Sequence, residues 1–170
     1  MPVRLNLLCK RNNQGGGMIS RQRLKEIALF KDFTEDELNM IAPMLTEEFY
    51  KKGKVIWEED SPGQGLHIID YGKVRVTKRT KEETKQILAV LKENNFYGEL
   101  SLLDGRAHSA AIEALEDTKV LVLKRSDLEK MLEETPKTAY KIVREMTIAI
   151  NEILREMNDK FMKLVNYVWE

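Results

Sequence analysis

One stretch of the chain carries residue types and a spacing that could hold a small anion: "GELSLLDGRAHSA", residues 98–110. Gly98 lets the backbone approach a ligand closely. Glu99, Leu100, Ser101, Leu102 and Leu103 can make one helical turn, whose free backbone N–H groups favour negative charge. Glu99 would itself repel an anion. It makes sense there as an acceptor for a neighbouring hydroxyl such as a ribose 2′-OH, or, more plainly, as a cap of the turn. The following segment "AHSAAIEAL" alternates with period two, so His108, Ala110, Ile112 and Ala114 share one face. Ile112 is the sizeable apolar residue on that face, which marks it as inward and sends His108 towards the turn. Ser109, Ala110 and Ala111 are small and leave room beside the strand. A lone histidine on such a face also has a purely structural reading.

Little else in the chain could do chemistry. It has two histidines, His67 and His108, and one cysteine, Cys9. A metal site needs several converging His, Cys or carboxylate ligands, and a single cysteine forms no intrachain disulfide, so a reducing cytoplasm is the expected location. The 170 residues suffice for one domain with a core and an appended helix. With 42% hydrophobic and 33% charged residues the composition is that of a soluble globular protein. Lys+Arg and Asp+Glu are both 28, a balance that argues against a surface built throughout for nucleic acid. No apolar run approaches the roughly 18 residues of a membrane span.

The elements that must position the stretch are readable from the periodicity. Residues 1–17 end in "NNQGGG" and are expected to form a flexible tail, with Met18 as the natural start. "SRQRLKEIALF" reads as a short helix capped by Ser20. "TEDELNMIAPML" opens with a capping box, Thr34 with Glu37, and presents Leu38, Ile41 and Leu45 on one face, ended by Pro43. From about residue 46 short β-branched and aliphatic runs follow, separated by turn signals at Lys52-Gly53, Pro62-Gly63, Tyr71-Gly72, Asn94-Asn95 and Glu116-Asp117. Many short strands without long intervening helices indicate a sandwich or barrel.

The helical period returns at "SDLEKML", where Ser126 and Glu129 have capping-box spacing. Thr135-Pro136 then opens about 45 Å of uninterrupted helix at 1.5 Å per residue. Its apolar stripe runs Ala139, Ile142, Met146, Ala149/Ile150, Ile153, Met157, Phe161, Leu164. This is a coiled-coil seam. A helix this long outruns a barrel of short strands, so the seam predicts a parallel homodimer through the C-terminal helix.

These residues carry a family resemblance. "FYGELSLLDGRAHSAAIEALEDTKVLVLKRSDLEKML" resembles the phosphate-binding cassette and following strand of cyclic nucleotide-binding domains, and "YKKGKVIWEEDSPGQGLHIIDYGKVRV" has their Lys-Gly, Pro-Gly and strand-turn-Gly-x-Val pattern. Over residues 20–165 the chain is similar to the effector half of CRP/FNR regulators. The resemblance implies an α+β, mainly β fold: a double-stranded β-helix, jelly-roll-like, with short N-terminal helices and a long C-terminal dimerisation helix. It divides the chain into a tail at 1–17, a β-barrel domain at 18–135 and the long helix at 136–170. It also implies cyclic AMP or cyclic GMP as ligand, no separate cofactor, and no enzymatic activity. The implied ligand-binding residues are Gly98, Glu99, Leu100, Ser101, Arg106, His108 and Ser109.

The departures are informative. The family arginine that pairs with the cyclic phosphate falls at His108, the preceding proline is Ala107, and Arg106 sits two residues earlier in the Gly105 turn, where it should face solvent. The helix positions that contact the purine in the regulators fall near Ile153-Leu154, both apolar. His67 occupies the position of a common tyrosine. A guanidinium–phosphate contact contributes about 1.5–3 kcal/mol, roughly tenfold to a hundredfold in affinity, of which a protonated His108 would recover part. The sequence ends at Glu170 directly after the long helix, so no DNA-reading helix-turn-helix and no DNA binding are expected. The reading is a stand-alone sensor that binds a cyclic nucleotide or related phosphorylated ligand weakly or with altered specificity and signals to a partner protein. The alternative is a binding-dead homologue serving as a dimeric interaction module.

Overall fold

In a computed structural model of the chain, residues 19–169 are described, with side chains to residue 167. The tail, Cys9 and the proposed start at Met18 lie outside that range.

Eight strands form two four-stranded antiparallel sheets. The first has the order β1 (Leu45–Tyr50), β8 (Thr118–Leu123), β3 (Leu66–Tyr71), β6 (Phe96–Tyr97). The second has the order β2 (Val55–Trp57), β7 (Ala111–Ala114), β4 (Lys73–Arg79), β5 (Lys85–Lys92). The helices are α1 (Arg21–Glu26), α2 (Glu35–Ile41), α3 (Glu99–Asp104), α4 (Arg125–Glu134) and α5 (Pro136–Trp169). This is a mainly β, jelly-roll-like architecture with helices at both ends of the chain.

The two core layers follow from the period-two alternation of the first sheet. On β8, Leu121 and Leu123 face the helices and pack with Leu128, Met131, Ala139, Ile142 and Met146, while Val120 and Val122 face the second sheet. On β3, Leu66 and Ile68 belong to the helical layer and Ile69 to the inter-sheet layer, with Trp57, Val74, Tyr97 and Ile112. Both faces of these strands are buried, which is why their sequences are nearly continuous apolar runs.

The expected caps divide. Ser20 accepts from the Arg23 N–H, and Thr34 and Glu37 make the complete capping box. Ser126 does not cap: α4 starts one residue earlier, at Arg125, whose Nε takes the Glu129 carboxylate at 2.7 Å and so removes the second half of the box. Leu45 is not on the α2 face. Pro43 sits in a single 3₁₀ turn, Ala42–Met44, and Leu45 begins β1. Thr135 precedes α5, but its hydroxyl donates back to the Met131 carbonyl at 3.3 Å.

The long helix is continuous for 34 residues. Its apolar stripe is not one uniform seam. Ala139, Ile142 and Met146 are fully buried in the chain's own core, whereas Ile153, Leu154, Met157, Phe161 and Leu164 are each more than half exposed. Among the described residues no helix is long and apolar enough to cross a membrane.

Candidate functional site

The cassette begins with two tight backbone approaches. Gly98 has φ of +87° and precedes α3; a Cβ there would strike the Gly65 carbonyl and the Trp57 ring. Gly63 packs so closely that a Cβ would come within 2.7 Å of Ser101 Cβ. These glycines press the 58–65 loop against the cassette. The contact is completed by two hydrogen bonds at 2.9 Å, from the Asp60 N–H to the His108 carbonyl and from the His108 N–H to the Ser61 carbonyl.

The segment expected as one strand from Ala107 is regular only from Ala111. The His108 backbone pairs with the 60–61 loop instead of a sheet neighbour. His108 nevertheless points inward, as its parity requires, and is buried. Its ring stacks on Trp57 with centroids 3.6 Å apart and planes 3° from parallel. Nδ1 lies 3.3 Å from Ser101 Oγ, which itself donates to the Gly98 carbonyl at 3.0 Å, while Nε2 is buried with no partner. Burial pushes the His108 pKa below the ordinary 6.5. Positive charge at His108 is therefore costlier in the free protein than the sequence suggests.

Of the residues singled out in the sequence, Gly98, Glu99, Ser101 and His108 are brought together. Burial raises the Glu99 pKa, opposed by its own backbone N–H, and among the described residues no other group hydrogen-bonds or ion-pairs its carboxylate. Leu100 and Ser109 are exposed. Arg106 does not join the group. Its side chain is 86% exposed, and its Nε lies 3.6 Å from Asp104. The C-terminal turn of α3 leaves it in water, as the Gly105 turn predicts.

Residues not singled out as ligand contacts complete the interior. Trp57 is the hub. It stacks on His108, meets His67 and Tyr97 edge-on, and donates from Nε1 to the Ala110 carbonyl at 3.1 Å. His67 is fully buried, with Nδ1 3.3 Å from the Gly65 carbonyl and Nε2 3.9 Å from a Glu48 carboxylate oxygen. Desolvation lowers its pKa to about 4 despite that carboxylate. Lys78 of β4 reaches the Ser109 carbonyl at 2.9 Å. The sheet order that brings these groups together is long-range, and only the alternation on each strand hinted at their facing.

Comparison with known proteins agrees with the geometry. A family model described as the cyclic nucleotide-binding domain matches residues 47–135. The chain is 30% identical over 119 residues to the cyclic AMP receptor protein of Thermus thermophilus, covering 70% of this chain and 55% of that protein. It is 35% identical over 107 residues to human cGMP-dependent protein kinase 2, covering 62% of this chain and 14% of the kinase. The match thus spans about half of the first relative and a small part of the second. Among solved structures, a cyclic nucleotide-binding domain from Methylobacillus flagellatus superimposes with a TM-score of 0.77 at 25% identity, covering 84% of this chain and 82% of that one. The Thermus thermophilus catabolite activator protein gives a TM-score of 0.70 at 28% identity, covering 81% and 62%. The cassette, the two-sheet fold and the long helix place this chain in the cyclic nucleotide-binding domain family, in its CRP-like form.

Proposed function

We propose that the chain is a cytoplasmic sensor that binds a cyclic nucleotide, cyclic AMP or cyclic GMP, at the cassette and passes the change to a partner protein. The observation that carries this reading is Glu99, a carboxylate half-buried beside Gly98 and Ser101 that meets only its own backbone N–H among the described residues. Its remaining lone pairs are open to a ribose hydroxyl. The altered phosphate end, His108 in place of the family arginine, supports weak binding or altered choice among cyclic nucleotides.

The reading includes a homodimer. The half-turns of α5 beyond Met146 leave Ile153, Met157, Phe161 and Leu164 on one exposed stripe, and a parallel second copy would cover it. A change at the cassette would then reach the partner protein through α3 and the paired helices.

Equilibrium binding of cyclic AMP and cyclic GMP to the wild type and to Glu99→Ala tests the function. Saturable binding that weakens about tenfold or more in Glu99→Ala is expected for loss of a hydrogen bond to a charged group. Equal affinity in both proteins would remove Glu99 as the ribose acceptor. A second reading, a binding-dead dimeric module, is favoured by one observation. His108 fills the face of Trp57, and neither of two surface clefts, one at Phe49, Tyr71 and Thr118, the other at Ile19, Asn39 and Pro43, includes a cassette residue.

A further inference from the structure

A cyclic phosphate carries a negative charge, and the residue at the family's arginine position is a buried imidazole whose pKa is held down. Four cations lie around the cassette among the described residues. Arg106 is in solvent beside Asp104. Arg125 packs against the Gly105 turn at the far end of α3 and is taken by Glu129. Arg79 is held by Asp60 at 3.1 Å and Glu59 at 3.5 Å. Lys78 differs from all three. Its ammonium donates to the carbonyl of Ser109, the residue next to His108.

The sheet explains how it gets there. The β4–β7 register is unbroken from Val74↔Ala114 to Thr77↔Ala111, so directly opposed residues share a face. Val74 and Ile112 lie in the inter-sheet core with Trp57, and Val76 packs against it. Lys78 follows the last residue paired with β7, Thr77, at the rim of the sheet, where its ammonium reaches the Ser109 carbonyl. Its side chain is half exposed, with the four-carbon stem free to turn. The only carboxylate within 4 Å of Lys78 among the described residues is Glu59, at 3.8 Å.

We propose that Lys78 supplies the positive charge for the cyclic phosphate, in place of the arginine for which His108 stands; this rests on the cyclic nucleotide-binding reading above. His108 then acts as a neutral donor. If the Ser101 hydroxyl turns from the Gly98 carbonyl to His108 Nδ1, 3.3 Å away, the imidazole carries its proton on Nε2, the atom that is buried without a partner. One neutral hydrogen bond from His108 and one ammonium from Lys78 divide what a single guanidinium does elsewhere. Lys78 binds as a point charge, not bidentately, which accounts for weaker binding without loss of ligand class.

The test is calorimetric titration of the full chain with cyclic AMP and with cyclic GMP, on wild type, Lys78→Met, Lys78→Arg, Glu59→Gln and the double variant Lys78→Met/His108→Arg. Lys78→Met is expected to weaken binding about tenfold to a hundredfold, the range of a charge-assisted contact. Lys78→Arg should stay within a few-fold of wild type, and Glu59→Gln should tighten binding by releasing the ammonium. The double variant should recover most of the loss, because it returns a cation to the cassette from the other side. If Lys78→Met binds as wild type does, Lys78 is not the cation, and the binding reading stands without it. If the double variant stays as weak as Lys78→Met, Lys78 only braces the Ser109 loop and the proposal fails. If the folded wild type binds neither nucleotide, this proposal and the reading beneath it fall together.

Discussion

The imidazole of His108 lies flat on the indole of Trp57, 3.6 Å centroid to centroid and within 3° of parallel. This pair sits where the family's phosphate-binding arginine would start, and it joins the cassette to the hydrophobic interior. His108→Arg must therefore do two opposing things. The longer side chain overfills the Trp57 face, with an expected cost of about 1–3 kcal/mol in urea unfolding. It also restores the guanidinium, so cyclic nucleotide binding at pH 7.5 should tighten by about tenfold or more. Unchanged stability would show that the stack is not part of the packed core.

Stability should fall in mild acid. The folded pKa of His67 is about 4 against an ordinary 6.5, and that of His108 is also lowered. Above pH 6.5 both rings are neutral in the folded and unfolded chain, and no dependence arises from them. Between 6.5 and 4 the unfolded chain takes up protons that the folded chain refuses, so unfolding becomes easier by about 1.4 kcal/mol per pH unit for His67 alone. Urea midpoints at pH 7.5 and 5.0 measure this. His67→Phe should flatten the slope, and an unchanged slope would mean that His67 takes up its proton equally in the folded and unfolded chain.

Gly98→Ala should damage the cassette specifically. Its φ of +87° disfavours a side chain, and the added Cβ meets the Gly65 carbonyl. The expected loss is about 1–3 kcal/mol, with nucleotide binding lost more steeply than stability. Thermal unfolding and titration on the same sample separate the two. An unaffected midpoint would contradict the packing of the 58–65 loop against α3.

Two substitutions should separate the halves of α5. Ile142→Ala removes a fully buried side chain and should cost about 2–5 kcal/mol of stability. Ile153→Glu changes a residue that is 56% exposed; it should leave the domain folded and give monomers in sedimentation velocity at micromolar concentration. A wild type that sediments as a monomer there would refute the dimer.

What the sequence reveals depends on how local each interaction is. The Thr34–Glu37 box, the turns at Gly53, Gly72 and Asn94 and the inward side of His108 are set by residues close in the chain and appear as expected, whereas Pro62-Gly63 lies in irregular chain. The Ser126–Glu129 box has the right spacing but loses to a competitor one residue away, Arg125. The stripe on α5 is continuous in sequence, yet its first half is covered by α4 and the N-terminal segment around residues 28–37, which periodicity alone does not assign. Trp57 on His108 and Lys78 on Ser109 are invisible for the same reason: 51 and 31 residues separate the partners, and only the β2–β7–β4 order makes them neighbours.

The most direct test is titration of the full wild-type chain with cyclic AMP and cyclic GMP at pH 7.5 and 5.5, with the matching 5′-monophosphates as controls. Saturable binding of at least one cyclic nucleotide is expected at both pH values, with much weaker binding of the open monophosphates. No saturable signal with either cyclic nucleotide, from a protein shown to be folded, would contradict the binding reading.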